Sequence, residues 1–276
     1  MTIDWPAWRA QPASPALVPM RDIVVSLPRD RWPGHDDWTR LAGSMGVRNA
    51  RGRLLRFVAP ALPPLSALDF ERRVLDHGAV ETRPACWHDA FHACAWLGFP
   101  LSKARINALH VADGPDDSPN RRSVLRNLLT LIDEGGLIVA SARADLLGHI
   151  RAFAWHGLFW GERESVSREM DFVIFGHALY ERALEMRHGC TGRGVLFEVG
   201  RDYFQLPTDA RRRYLDQRLA ALLDDPGRLT STSLVQPVPI MGIPGWAAEN
   251  VNEDYYFDTS QFCTGRRAAR KFVAAC

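Results

Sequence analysis

The chain has 276 residues, of which 46% are hydrophobic, and its 34 basic residues nearly balance its 32 acidic ones. This length suits one large domain or two small ones, and the apolar fraction is typical of a protein with a buried core. The charge balance argues against a dedicated nucleic-acid-binding or membrane-surface protein, which would carry a basic excess. We therefore expect neither nucleic acid nor membrane among its partners, and the oligomeric state stays open.

The cysteines and the first residues indicate a cytoplasmic protein. Five cysteines without a CxxC pattern are typical of reduced thiols, namely Cys86, Cys94, Cys190, Cys263 and Cys276. The start of the chain lacks the basic and apolar regions of a signal peptide. No apolar run approaches the ~18 residues that a membrane span requires.

Two regions differ in composition. Residues 1–40 are rich in proline and tryptophan and predict an extended arm with one short helix near 36–42, packed on the body by its tryptophans. Residues 41–276 contain no repeat, low-complexity tract or clear linker, which favours a single globular domain. The predicted fold class is α+β and mainly helical, with an irregular, aromatic-rich C-terminal segment.

The first predicted elements lead to the region richest in chemistry. They are a strand at 53–60, a helix at 66–77 with Gly78 as its C-cap, a helix at 86–98 that Pro100 ends, and a helix at 103–111 with Ser102 as its N-cap.

The later elements include one ambiguity. Residues 121–134 predict either a helix that ends at Gly135 and Gly136 or a hairpin. The remaining predictions are a loop at 113–120, a strand at 137–140, helices at 144–160 and 171–186, a strand at 194–199, a helix at 208–223 and an irregular segment at 236–262.

Polar side chains are concentrated in residues 87–110. His88 and His92 lie one turn apart on the first helix of this region, and Lys103, Asn107 and His110 form one stripe on the second. A helical hairpin allows the two stripes to face each other, although the spacing does not require it.

These residues predict a metal-free acid–base site. His88 or His110 would act as the base, Asp89 would orient it, and Lys103 and Asn107 would stabilise developing negative charge. The alternative is a buried polar network that holds two helices together.

A divalent metal is a candidate cofactor. His88 and His92 have the i, i+4 spacing of helical zinc ligands, and His110 or His177 would complete a set of three with an open position for water. Asp89 stands where an HExxH motif has glutamate, and its side chain is shorter.

Further residues are candidate substrate-binding groups, namely Arg126, Asp133, Glu134, His177 and Glu181. Asp133 and Glu134 also suit a turn before the two glycines. His177 and Glu181 form an i, i+4 pair, in which the glutamate would fix the histidine tautomer or form a surface ion pair. Gly176 indicates close helix packing and therefore a buried His177.

The order of several motifs resembles a bacterial family known as a domain of unknown function, DUF3025. The motifs are Trp87-His88-Asp89, Phe99-Pro100, Lys103, Asn107 and His110, then residues 126–136, 175–181 and 241–246 with Asn250. The resemblance covers roughly residues 70–262. It implies asparagine at the position of His92, which weakens a scheme that pairs His88 with His92 as ligands.

The sequence therefore predicts an enzyme that performs hydrolysis or group transfer on a small molecule or peptide by acid–base chemistry, with or without a metal. The alternative is a non-catalytic binding or assembly protein, whose tryptophans and aromatic tail would form a partner surface. A solvent-connected pocket beside the polar residues would favour the enzyme.

Overall fold

Helices make up most of the structure, a computed structural model that describes residues 3–11, 14–114, 123–184 and 189–265. The α-helices are α1 (Trp5–Arg9), α2 (Arg21–Val25), α3 (His35–Ser44), α4 (Ala67–His77), α5 (Trp87–Gly98), α6 (Pro100–Asp113), α7 (Val124–Gly135), α8 (Ala144–Arg151), α9 (Arg163–Glu169), α10 (His177–Ala183) and α11 (Thr208–Leu223). The strands are β1 (Arg56–Val58), β2 (Ala79–Glu81), β3 (Gly136–Ser141), β4 (Met170–Ile174), β5 (Thr191–Glu198) and β6 (Gln236–Pro239).

The main sheet has four strands in the order β4-β3-β5-β6. Strand β3 runs antiparallel to β4 and parallel to β5, with Ile138 opposite both Val173 and Val195. Every residue of β3 is buried, which explains its continuous apolar run. A separate pair of short parallel strands joins β1 to β2.

Helix α5 lies in the core of the molecule, because most of its own residues are buried and apolar. It ends at Gly98, and Pro100 begins α6 at a position where a proline costs no helical hydrogen bond. The predicted break at Pro100 is therefore confirmed. The predicted start of the second helix at 103 is wrong, because Ser102 lies inside α6 and its hydroxyl donates to the Asp216 carbonyl at 3.0 Å instead of capping a helix.

The N-terminal segment is helical rather than extended, although its tryptophans do pack on the body as predicted. Trp5 is 1% exposed, and its ring stacks on Trp87 with the centroids 5.6 Å apart. Trp32 contacts the same ring at 4.8 Å, and the Trp87 indole donates to the Ile3 carbonyl at 2.8 Å. This segment therefore belongs to the hydrophobic core of the molecule.

Helix α4 shows how local chemistry fixes both ends of an element. The Ser66 hydroxyl accepts the Asp69 amide at 3.1 Å, and Gly78 adopts a left-handed conformation with φ of 66° after the last turn. A Cβ at Gly78 would lie 2.5 Å from the Leu54 carbonyl oxygen, so glycine is also required by close packing. The predicted C-cap at Gly78 is confirmed.

Several later predictions are corrected. The predicted helix at 171–186 is strand β4 followed by α10, and the predicted helix at 144–160 is α8 followed by a π-helical turn at Gly157–Gly161. The hairpin alternative is wrong, because α7 continues to Gly135 and β3 begins at Gly136. The segment 236–262 is not irregular throughout, since β6 pairs with β5. Most of the predicted loop at 113–120, together with Arg121, lies outside the described residues.

The described residues share one buried apolar core, and the fold is α+β and mainly helical, as predicted. Among the described helices, none has both the length and the apolar character needed to cross a lipid bilayer.

Candidate active site

Five helices bring polar side chains to one region. The contributions are Glu71 from α4, His88 and His92 from α5, Lys103, Asn107 and His110 from α6, Asp133 and Glu134 from α7, and His177 and Glu181 from α10. The two stripes predicted on α5 and α6 therefore do converge, and the end of α7 lies between them.

Two histidines face each other across the gap between α5 and α10. The Nε2 atoms of His88 and His177 lie 3.1 Å apart, and the two rings are nearly perpendicular. Glu181 Oε2 lies 3.3 Å from His88 Nδ1. Because a carboxylate only accepts hydrogen bonds, this contact favours the His88 tautomer with its proton on Nδ1 and its Nε2 lone pair directed at His177.

His177 is buried, as the sequence predicted, and only 4% of it is exposed. Gly176 permits this position, because a Cβ there would lie 2.5 Å from the Glu134 carbonyl oxygen. Burial lowers the pKa of His177 to about 3, so its imidazole is neutral at pH 7. Its Nδ1 atom has no hydrogen-bond partner, and the nearest carboxylate oxygen, Asp133 Oδ2, lies 3.7 Å away.

Lys103 is an interior cation that is paired with Asp133. Its ammonium lies 2.5 Å from Asp133 Oδ1 and 5.5 Å from the centre of the Trp96 ring. Burial opposes ionisation of Asp133, but the interactions with Lys103, His177 and His110 together outweigh it and lower the pKa of this carboxyl. Lys103 therefore acts on the site through Asp133, and the predicted direct role in stabilising a reacting group does not match its position.

Asn107 holds Glu71, a residue that was not among the predicted site residues. The Asn107 amide donates to Glu71 Oε2 at 2.6 Å and to the Glu71 carbonyl at 2.9 Å. Burial raises the pKa of Glu71 to about 7, and the charge of Asp133 adds to this effect. The sequence signal that could have identified Glu71 is its position between Leu68 and Leu75, because an acidic residue is unusual on the apolar stripe of a helix.

A cleft of about 260 Å³ opens beside these groups. Its lining residues are Ala67, Leu68, Glu71, His110, Arg126, Thr130, Asp133 and Glu134. Burial lowers the pKa of His110, and Arg126 Nη2 lies 3.4 Å from Asp113 Oδ2. Asp133 and Glu134 connect the cleft to the histidine pair, because both approach His177.

Two other predicted residues have different surroundings from those expected. The Asp89 carboxylate accepts the Arg83 backbone amide at 2.7 Å and the Arg83 guanidinium at 2.8 Å, so Glu181 and not Asp89 orients His88. His92 is half-buried with its ring centre 4.8 Å from that of His177, and burial lowers its pKa well below the ordinary value.

Two overlapping groups of side chains have the geometry to hold a metal ion, among the residues that the structure describes. One is His88, Glu134 and His177, and the other is His92, Asp133 and His177. His110 is in neither group, so the predicted ligand set of His88, His92 and His110 does not assemble, because His110 faces the cleft instead. His177, which the sequence offered as the alternative to His110, is in both groups.

The fold and the site together define a mainly helical α+β protein with a histidine–carboxylate centre beside a small cleft. The chain belongs to the family described as protein of unknown function (DUF3025), whose model matches residues 55–266. The match contains every residue of the centre and of the cleft lining. Neither curated proteins nor solved structures give a match to the chain.

Proposed function

We propose that this protein is an enzyme that performs hydrolysis or group transfer on a small polar molecule by acid–base catalysis in the cleft. The observation that carries the proposal is the lining of the cleft, where Glu71, His110, Asp133 and Glu134 meet beside the His88–His177 pair. Clefts with a few convergent polar groups and shifted pKa values are typical of active sites.

Glu71 is the leading candidate for proton transfer. A group with a pKa near the operating pH exchanges protons most effectively, and the pKa of Glu71 is about 7. His110 lines the same cleft and is the candidate partner base. Asn107 is a positioning residue, because it touches Glu71 and is itself 2% exposed.

The dimensions and charge of the cleft favour one class of substrate. A volume of about 260 Å³ suits a small molecule better than a folded protein surface. Three carboxyl groups and one arginine line it, so a ligand with an amine or several hydroxyl groups suits it better than a multiply charged anion. Buried thiols at Cys94 and Cys190 accord with a reducing, cytoplasmic location.

A non-catalytic binding or assembly protein is the second candidate. The Lys103–Asp133 and Asn107–Glu71 contacts tie three helices together, as a structural network would. The cleft lined by His110 and the buried, unpartnered His177 Nδ1 favour the enzyme, because a purely structural network satisfies its polar atoms.

The test combines a thermal-shift screen of small amines, polyols, esters and amides with hydrolysis assays on the compounds that bind. We expect Glu71→Gln and His110→Ala to lower kcat for an active compound by about 100-fold or more while the protein stays folded. Glu164→Gln is the matched control, because Glu164 is 75% exposed and forms a surface ion pair with Arg168. Equal activity in all three variants would refute the proposal.

A further inference from the structure

The strongest unexplained feature is the opposition of two imidazole lone pairs. His88 Nδ1 lies 3.3 Å from Glu181 and His177 Nδ1 lies 3.7 Å from Asp133, so each ring can carry its proton on Nδ1 and leave the Nε2 lone pair free. Both Nε2 atoms then present lone pairs to each other at 3.1 Å. Glu134 Oε2 adds a third electron-rich atom, 3.6 Å from His177 Nε2. The contact between the two Nε2 atoms is favourable when one of them carries a proton or when a cation lies among the three atoms.

The distances from His177 Nε2 to the other two atoms are close to those between the ligands of one metal ion, and the ligand atoms of the group all lie within 4.8 Å of one another. Ligands at about 2.0–2.1 Å from a shared metal lie about 2.9 Å apart in an octahedral site and about 3.3 Å apart in a tetrahedral one. The observed separations of 3.1 and 3.6 Å bracket the tetrahedral value, and a small side-chain movement closes the longer one.

The outer contacts also follow the pattern of metal-binding histidines. A ligating histidine usually donates its second ring N–H to a carboxylate, which fixes the tautomer and raises the basicity of the ligand. Glu181 stands in this position for His88 at 3.3 Å, and Asp133 stands in it for His177 at 3.7 Å. The unpartnered Nδ1 of the buried His177 needs only a slight ring movement to reach Asp133.

The charges distinguish this group from the overlapping one. Asp133 Oδ1 is already neutralised by the Lys103 ammonium at 2.5 Å, so a metal bound to Asp133 would lie next to a buried positive charge. The Glu134 side chain is 46% exposed, so a metal that it binds would keep a coordination position open towards solvent. Asp133 therefore suits the role of an outer carboxylate and Glu134 the role of a ligand.

We propose that His88 Nε2, His177 Nε2 and Glu134 Oε2 bind one divalent transition metal of the zinc type, with a fourth position open to water. Two imidazoles and one carboxylate are a ligand set that zinc accepts in catalytic sites. This deepens the proposed function and rests on it for the reaction. The metal-bound water would add hydroxide to an ester or amide carbon, the acyl C–O or C–N bond would break, and the proton of the water would pass through the cleft carboxyls to the leaving alkoxide or amine.

The experiment is metal titration of the full chain after removal of metal with a chelator. Isothermal titration with ZnCl₂ and elemental analysis should give one zinc per chain. We expect His88→Ala, His177→Ala and Glu134→Gln each to weaken zinc binding by more than about 100-fold. Visible absorption after addition of CoCl₂ should show the intense bands of a four- or five-coordinate ion, and these bands should vanish in the same variants.

Two control variants make the result specific. His110→Ala removes a cleft histidine outside the ligand group, and His156→Ala removes an exposed histidine that pairs with Glu253. Both should bind zinc as the wild-type chain does, with circular dichroism spectra showing that all variants fold. Loss of binding in His110→Ala but not in Glu134→Gln would overturn the proposed ligand set, and absence of stoichiometric zinc would overturn the site.

The outcomes separate this inference from the proposed function. Zinc binding without any hydrolysis would support the site and contradict the enzyme. Activity that depends on Glu71 and persists after complete metal removal, in a chain that binds no zinc on titration, would support the enzyme and contradict the metal site.

Discussion

The Lys103 ammonium and the Asp133 carboxylate form an ion pair of 2.5 Å in which the lysine side chain is only 3% exposed. The pair joins α6 to α7 across 30 residues of sequence, and the free oxygen of Asp133 points towards His177. This contact between two helices therefore also sets the electrostatic environment of the His88–His177 pair. The chain contains only one other lysine, Lys271, which lies outside the described residues.

Removing the cation alone should strongly destabilise the protein. Lys103→Met leaves Asp133 as an uncompensated charge in the interior, and breaking one side of a buried pair costs about 3–5 kcal/mol. Urea denaturation should show this loss in the free energy of unfolding. The control Arg168→Ala breaks an exposed pair with Glu164 and should change stability by less than about 1 kcal/mol. Equal stability of Lys103→Met and the wild type would contradict this cost.

Glu71 should make stability fall as the pH rises. Its pKa is about 7 in the folded chain against an ordinary value of 4.5, so between these values the folded state holds a proton that the unfolded state releases. The contribution is complete below pH 4.5 and is lost as the pH rises through 7. Glu71→Gln should remove this slope and be more stable at pH 8 by about 1–3 kcal/mol.

The comparison is made by urea denaturation at pH 5, 6, 7 and 8 on both proteins. The difference between the two curves isolates the contribution of Glu71, because the rest of the chain is the same in both proteins. Parallel curves would contradict a raised pKa at this position.

Gly176→Ala should destabilise the junction between β4 and α10. The new Cβ would lie 2.4 Å from the Gly136 amide nitrogen and 2.5 Å from the Glu134 carbonyl oxygen, so backbone must move. We expect a loss of about 1–3 kcal/mol, measured by thermal unfolding. Gly148→Ala in α8 is the matched control, because a Cβ there would have nothing within 4 Å and alanine favours a helix by up to about 1 kcal/mol. If both variants lose stability equally, close packing at Gly176 is not the cause.

Glu181 should tune metal affinity without being a ligand. It contacts His88 Nδ1 at 3.3 Å, and loss of such an outer carboxylate weakens metal binding by about 10–100-fold. Glu181→Ala should therefore still bind one zinc per chain, but more weakly, in a competition titration. Asp89→Asn is the comparison, because the Asp89 carboxylate pairs with Arg83 and its loss should leave zinc affinity unchanged. Unchanged affinity in Glu181→Ala would remove Glu181 from the centre.

Local signals predicted the elements whose ends are determined by neighbouring residues. The glycine after α4 and the proline after α5 each end a helix through contacts within one turn. The amphipathic pattern of 208–223 predicted both ends of α11 correctly. The segment 171–186 was predicted wrongly because Phe172, Phe175 and Leu179 have helical spacing although the first two lie in or beside a strand. The packing of Gly176 against the preceding turn interrupts that pattern, and spacing does not report it.

The sequence predicted the region of the site but not which of its side chains contact one another. The polar residues at 88–110 were visible from their density, and His177 and Glu181 from their pairing on one helix. That His88 would meet His177, 89 residues later, depends on how α5 packs against α10. The pairing of Asp89 with Arg83 and of Asn107 with Glu71 likewise depends on contacts between elements, which a periodic pattern does not encode.

The tryptophan packing at the N-terminus has a consequence for the boundaries of this protein. The family match begins at residue 55, yet Trp5 and Trp32 cover Trp87, which immediately precedes His88. A fragment cut to the matched region would expose the first turn of α5 to water. It would also lose the packing that holds Trp87, the residue next to His88. The hydrophobic core therefore extends beyond the matched region, and tryptophans from the first forty residues cover the turn of α5 that carries His88.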